Sequence, residues 1–171
     1  MRRIPLAAIG CLAIIPGVTA FGQQNIGCGP AEIKFESHLA DIQASPGPVP
    51  GKALVYFDEN DAGDVSAAPP LTRVGIDGQW VGAMQEVSWI YAYVEPGSHQ
   101  LCANWQTSWQ TAWPTTTRSL LFTAQPGGVY YFEVKYEKVA GEVEMHLKML
   151  DSDQGPKTIR KYFYGTSRLK K

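Results

Sequence analysis

The chain has 171 residues, 44% of them hydrophobic and 18% charged, with a formal net charge of -1 at pH 7. That length and composition suit one domain with its own core. The near-neutral charge argues against a nucleic-acid partner, and no basic amphipathic stretch points to a membrane surface.

Residues 1–20 read as a cleaved secretory signal. Arg2 and Arg3 form a short basic region, Leu6 to Ile15 is apolar, and Val18-Thr19-Ala20 offers small residues for cleavage after Ala20. The apolar run is too short, and too broken by Pro16 and Gly17, for a membrane span. A second reading stays open. Ala8-Ile9-Gly10-Cys11 loosely resembles a lipoprotein box, which would make Cys11 a lipid anchor and the chain's one attachment to a membrane. Loss of residues 1–20 takes Lys+Arg from 15 to 13 against 16 acids, a net charge near -3.

Without Cys11, two cysteines remain, Cys28 and Cys102. In an exported chain such a pair reads as one disulfide, here closing a span of 74 residues (102 minus 28). The alternative is two unrelated buried thiols.

Residues 21–51 read as an N-terminal arm and Pro-rich connector, with one short strand around Ile33 to Glu36. "ASPGPVPGK" (44–52) is a stiff extended linker. From Lys52 to Leu150 the signals are for strands. "KALVYFD" is rich in β-branched and aromatic residues. In "LTRVGIDGQWVGAM", Asp77-Gly78 between apolar runs predicts a hairpin. Pro96-Gly97 in "WIYAYVEPGSHQLCANW" and Pro126-Gly127 in "RSLLFTAQPGGVYYFEVKYEK" predict two more. "EVEMHLKML" alternates, with Val143, Met145, Leu147 and Met149 inward and Glu142, Glu144, His146 and Lys148 outward. Residues 151–171 form a tail with room for one short helix, limited by Pro156 and Gly165, and a frayed basic end. About eight strands with Gly and Pro turns predict an all-β fold, an antiparallel β-sandwich over 52–150.

The segments "GKALVYF", "TRVGIDGQWVGAM", "VEPGSHQLCANW", "FTAQPGGVYYFEV" and "DSDQG" fall in an order similar to the bacterial envelope family called domain of unknown function 2846. "EPGSHQL" also resembles PEGA-type β modules of bacterial surfaces. The resemblance spans about residues 52–153 and implies an extracytoplasmic β-sandwich, often lipid-anchored. It implies no activity and carries over no functional residue.

"DENDAGD" puts Asp58, Asn60 and Gly63 at the first, third and sixth positions of a calcium loop. Ala62 and Pro69 stand where two further ligands belong, so the stretch reads as a solvated turn. His38, His99 and His146 include no pair at ligand spacing, and no metal or cofactor is expected. No glycine-flanked serine elbow occurs. His99 and Cys102 lie on opposite faces of a strand, and Glu142 and Glu144 share a wet face without a cleft between them. The richest signal is tryptophan. Trp105 alternates with Leu101 and Ala103 and belongs to the core. Trp109 and Trp113 fall in the polar loop "QTSWQTAWPTTT", where they either cover the core or grip a ligand.

These readings point to an exported protein of the periplasm or cell exterior that binds or supports rather than catalyses. Its expected partners are cell-wall glycan, an envelope protein or its own kind through exposed edge strands. The alternative is a hydrolase of envelope glycan or peptide. Two carboxylates, or a Ser/His pair, inside an aromatic-lined cleft would favour it; scattered, solvated acids would count against it.

Overall fold

The computed structural model of the chain describes residues 27–60, 70–85, 87–106 and 117–171. Among them are strands β1 (Phe35–Leu39), β2 (Ala53–Asn60), β3 (Thr72–Ile76), β4 (Gln79–Met84), β5 (Ser88–Val94), β6 (Gly97–Trp105), β7 (Thr117–Ala124), β8 (Val129–Val139) and β9 (Glu142–Leu150), helix α1 (Gln154–Lys161) and strand β10 (Phe163–Leu169). They build a six-stranded sheet, β1-β10-β5-β2-β8-β9, and a four-stranded sheet, β4-β3-β6-β7. Pairing is antiparallel except for β10 with β5 and β2 with β8. The fold is all-β, with ten strands among the described residues.

Alternation decides what is buried. Ala53, Val55 and Phe57 of β2, Leu101, Ala103 and Trp105 of β6, and Phe132, Val134 and Tyr136 of β8 meet in one core. Phe57 and Phe132 have no exposed surface, and burying side chains of that size contributes about 1.5–3 kcal/mol each. In β9, Met145 is buried, Val143 and Leu147 pack against the core, and Met149 is 54% exposed at the sheet edge.

The turns sort into two kinds. Asp77 (φ 51°) and Gly78 (φ 79°) join β3 to β4 in a two-residue turn of the kind that matches strand twist. Ala140 (φ 51°) and Gly141 (φ 93°) do the same between β8 and β9, although alanine is an unusual choice for that backbone. Neither Pro-Gly turn makes a hairpin. β5 and β6 lie in different sheets, as do β7 and β8, so each Pro-Gly pair turns a corner between sheets. Proline and glycine set the local bend in either case, and the long-range pairing decides where the strand goes next.

The tail is not frayed. β10 pairs with β1 from Phe35↔Leu169 to Leu39↔Gly165, and Lys170 N donates to the Lys34 carbonyl at 2.8 Å. Sequence alternation in this basic stretch is weak, and the partner that orders it lies at the other end of the chain. The N-terminal arm is fixed as firmly. Cys28 and Cys102 form a disulfide with Cα atoms 5.6 Å apart. Trp80 Nε1 donates to the Pro30 carbonyl at 2.8 Å. Arg73, 7% exposed, donates to the carbonyls of Ala31 (3.2 Å) and Ile33 (2.6 Å) and lies 4.3 Å from the Trp80 ring centre. Burial lowers the pKa of its guanidinium below the ordinary value. Gln106 then serves as a short strand substitute, accepting from Phe35 N (2.6 Å) and donating to the Phe35 carbonyl (2.7 Å).

Candidate functional site

The six-stranded sheet turns its outer face away from the core, and that face is aromatic. On β5, Trp89, Tyr91 and Tyr93 alternate with the core-facing Ile90, Ala92 and Val94. Register then sets Tyr56 beside Tyr91, Tyr131 beside Tyr56, and Tyr164 beside Trp89. The rings touch in series. Tyr56 stacks on Tyr131 with centroids 5.0 Å apart and planes 6° from parallel. Trp89 meets Tyr56 at 5.5 Å and Tyr164 at 4.9 Å, and Tyr91 meets Tyr93 at 5.9 Å. Trp89 is 1% exposed and forms the floor, while all five tyrosines are half-buried and keep part of their surface open.

The face is framed by structure. Helix α1 closes one end at Gly155, where a Cβ atom would lie 2.1 Å from the Tyr131 ring. Asp151 Oδ1 starts that helix by accepting from Asp153 N (2.9 Å) and Gln154 N (2.7 Å), and Pro156 sits in its first turn. The Tyr162 carbonyl accepts from Trp89 Nε1 at 3.2 Å and from Gln43 Nε2 at 2.9 Å. Tyr93 donates to the Gly47 carbonyl at 2.5 Å, which lays the Pro-rich connector along the opposite rim. Burial raises the pKa of Tyr56, Tyr131 and Tyr164, with neighbouring tyrosines adding to the effect at Tyr56 and Tyr164. All three phenols therefore keep their protons at neutral pH.

Beneath the α1 end lies a pair of acids. Asp58 on β2 is the register partner of Glu133 on β8, and both side chains are buried. Lys148 Nζ lies 2.8 Å from Glu133 Oε2, and Asn60 Nδ2 donates to Glu133 Oε1 at 3.1 Å. Tyr162 OH donates to Asn60 Oδ1 at 2.7 Å. Asp58 has no exposed surface, and neither carboxylate oxygen has a hydrogen-bond partner among the described residues. Burial first, and the Glu133 charge second, push its pKa up to about 8, against a smaller opposing pull from Lys148. Asp58 is thus a neutral acid at pH 7 beside an ion-paired carboxylate. The reading of 58–64 as a solvated turn is corrected for residues 58–60, while residues 61–64 lie outside the described residues. β2 runs on through Asn60 because β8 pairs with it as far as Lys135, and the run carries Asp58 and Glu59 inside. Glu59 faces the core, where Tyr136 OH donates to its Oε1 at 2.7 Å and also shares a hydrogen bond with Thr72.

The residues singled out by sequence are dispersed. Trp105 is core, 1% exposed, 5.4 Å from Tyr136. Cys11, Ala62, Gly63, Pro69, Trp109 and Trp113 lie outside the described residues. His38 is on the edge strand β1. His146 lies 3.8 Å from Glu144 and 3.9 Å from Glu137. Glu144 is also 4.0 Å from Arg118. No group of three His, Cys, Asp or Glu among the described residues could hold a metal ion.

His99 has both ring nitrogens engaged. Nδ1 is 2.7 Å from Asp77 Oδ2 and Nε2 is 2.7 Å from the Glu95 carbonyl. Both partners only accept, so the doubly protonated ring alone satisfies both bonds. Burial lowers the His99 pKa, but the Asp77 and Glu95 contacts outweigh it and the net shift is upward.

Sequence reasoning missed the tyrosine face, although "WIYAY" announces it. Aromatics at every second position of a strand lie on one face. No helix among the described residues is long and apolar enough to cross a membrane. No family model matches the chain, and no curated protein matches it either.

Proposed function

We propose that this chain is an exported, non-enzymatic β-sandwich of the bacterial cell envelope that binds cell-wall glycan across its outer tyrosine face. One observation carries the reading: five half-buried tyrosines and Trp89 lie in contact on one sheet face, and all project from paired strands. Rings held by strands form a rigid stacking surface, and their hydroxyls can hydrogen-bond at its margin. The apolar leader, the Cys28–Cys102 disulfide and the resemblance to envelope β modules support export to the periplasm or cell exterior.

The test is co-sedimentation with purified peptidoglycan. The intact protein pellets with it, while Tyr91→Ala and Tyr164→Ala bind about tenfold more weakly each, on the scale of one lost aromatic contact. Unchanged binding in both variants would refute the reading. Capture by an envelope protein in place of glycan would move the same face to a protein partner.

A hydrolase is the second reading, and the Asp58–Glu133 pair is the observation that favours it. One neutral acid beside one ion-paired carboxylate has the protonation that glycoside cleavage uses. Enclosure of Asp58 stands against it, because a general acid must reach the bond it protonates. Release of soluble sugars from peptidoglycan by the intact protein, and not by Asp58→Asn, would establish the hydrolase.

A further inference from the structure

β4 is an edge strand whose one strand partner among the described residues is β3. Its second half is covered, since Ala83 N donates to Ser167 Oγ of β10 at 2.9 Å. Its first half, Gln79 to Val81, is exposed or half-buried, and the shift from Gly75↔Trp80 to Val74↔Gly82 makes Val81 the extra residue of a bulge, leaving Trp80 and Val81 outside the β3 ladder's regular step. An open strand edge is a template for one more strand.

This edge has a cleft on each side. One, of about 410 Å³, has Ile76, Ala92 and Val94 in its wall and the carboxylates of Asp77 and Glu95 at its mouth. The other, of about 390 Å³, is lined by Pro30, Ile33, Phe35 and Leu169. Gln79, Trp80 and Val81 border both. The first cleft opens on the side of the core-facing Ile76 and Val94, and the second on the side where the arm crosses the outer face at Pro30. Trp80 divides them and is held in place by the Pro30 carbonyl and the Arg73 guanidinium.

We infer that the Gln79–Val81 edge binds an extended peptide as an added strand, with a basic side chain directed to the Asp77–Glu95 cleft and the next, apolar side chain to the Ile33–Phe35–Leu169 cleft. Successive residues of a strand point to opposite faces, so an added strand feeds the two clefts in turn. The chemistry of the clefts sets the sequence. Both oxygens of Asp77 are taken, by His99 and by Gln100 N, so Glu95, whose side chain is 71% exposed, is the charge within reach of a ligand. Glu95 is held by Lys52 at 2.9 Å in an exposed ion pair that an incoming lysine can displace at little cost. The second cleft offers apolar side chains, with Leu169 63% exposed.

The probe is the capped peptide Val-Lys-Val-Lys-Val, titrated into the intact ¹⁵N-labelled protein. Two further peptides carry N-methyl groups, one on the valine amides and one on the lysine amides. The backbone signals of Gln79, Trp80 and Val81 should shift. One methylated peptide should bind at least about tenfold more weakly, having lost its ladder bonds, while the other binds like the parent. All three carry the same charge, which separates strand addition from general attraction to an acidic protein. Glu95→Gln should weaken the lysine peptide and leave Val-Gln-Val-Gln-Val unaffected. No binding by the parent, equal binding by all three, or shifts confined to the tyrosine face would overturn the inference.

Discussion

Asp58 and Glu133 are register partners on adjacent parallel strands, and Lys148 ion-pairs with Glu133 at 2.8 Å while pulling only weakly on Asp58. The cost of that asymmetry falls on Asp58, which keeps its proton to about pH 8, against an ordinary value of 3.8. Between these limits the native state holds a proton that the unfolded state releases. Stability therefore falls as pH rises through the window, by up to about 1.4 kcal/mol per pH unit, and levels off above it. Asp58→Asn keeps the shape and removes the titration. The variant should melt above the parent at pH 7 and differ little at pH 4. Equal melting temperatures at pH 7 would contradict the buried neutral acid.

The Cys28–Cys102 disulfide closes a span of 74 residues and fixes the arm that leads into β1. In the chain-entropy picture it contributes about 4 kcal/mol. Cys28→Ser with Cys102→Ser should lower the denaturation midpoint accordingly. Mass spectrometry of the unreduced protein should find the two cysteines in one linked peptide pair.

His99 bridges the β3–β4 turn to the β5–β6 corner. Its pKa is raised in the fold, so its contribution is complete below pH 6.5 and is lost as pH climbs through the higher native value. An NMR titration of the ring should give a midpoint above 6.5. Asp77→Asn retains the turn, which asparagine suits equally well. In that variant burial dominates and the midpoint should fall.

Gly155 lies inside a helix, where alanine is ordinarily better by about 1 kcal/mol. Here the added methyl would meet the Tyr131 ring at 2.1 Å. Gly155→Ala should therefore destabilise, by about 1–3 kcal/mol as an overpacked contact. A rise in melting temperature would mean that α1 does not close the tyrosine face.

Local chemistry made much of this fold legible. Alternation in 142–150 placed Val143, Met145 and Leu147 inward correctly but not Met149, which is 54% exposed where the edge strand runs past the core, and Asp77-Gly78 marked a real hairpin. The spacing of Leu101, Ala103 and Trp105 marked a core strand. What local chemistry does not carry is the choice of partner. Pro96-Gly97 and Pro126-Gly127 bend the chain in the same way whether the next strand pairs with the last or crosses to the other sheet. β10 is ordered by β1 from the far end of the chain, and Asp58 is buried by β8 rather than by anything in "DENDAGD". The tyrosine face divides in the same way. Its β5 share is readable from "WIYAY", whereas Tyr56, Tyr131 and Tyr164 join it only through register.

The glycan-binding face is tested most directly by mapping the contact. Short N-acetylglucosamine oligomers, the sugar common to bacterial cell walls, would be titrated into the ¹⁵N-labelled protein. Shifts should cluster at Tyr56, Tyr91, Tyr131 and Tyr164, with the Gln79–Val81 edge unaffected. Shifts elsewhere, or none at all at saturating sugar, would contradict glycan binding by this face.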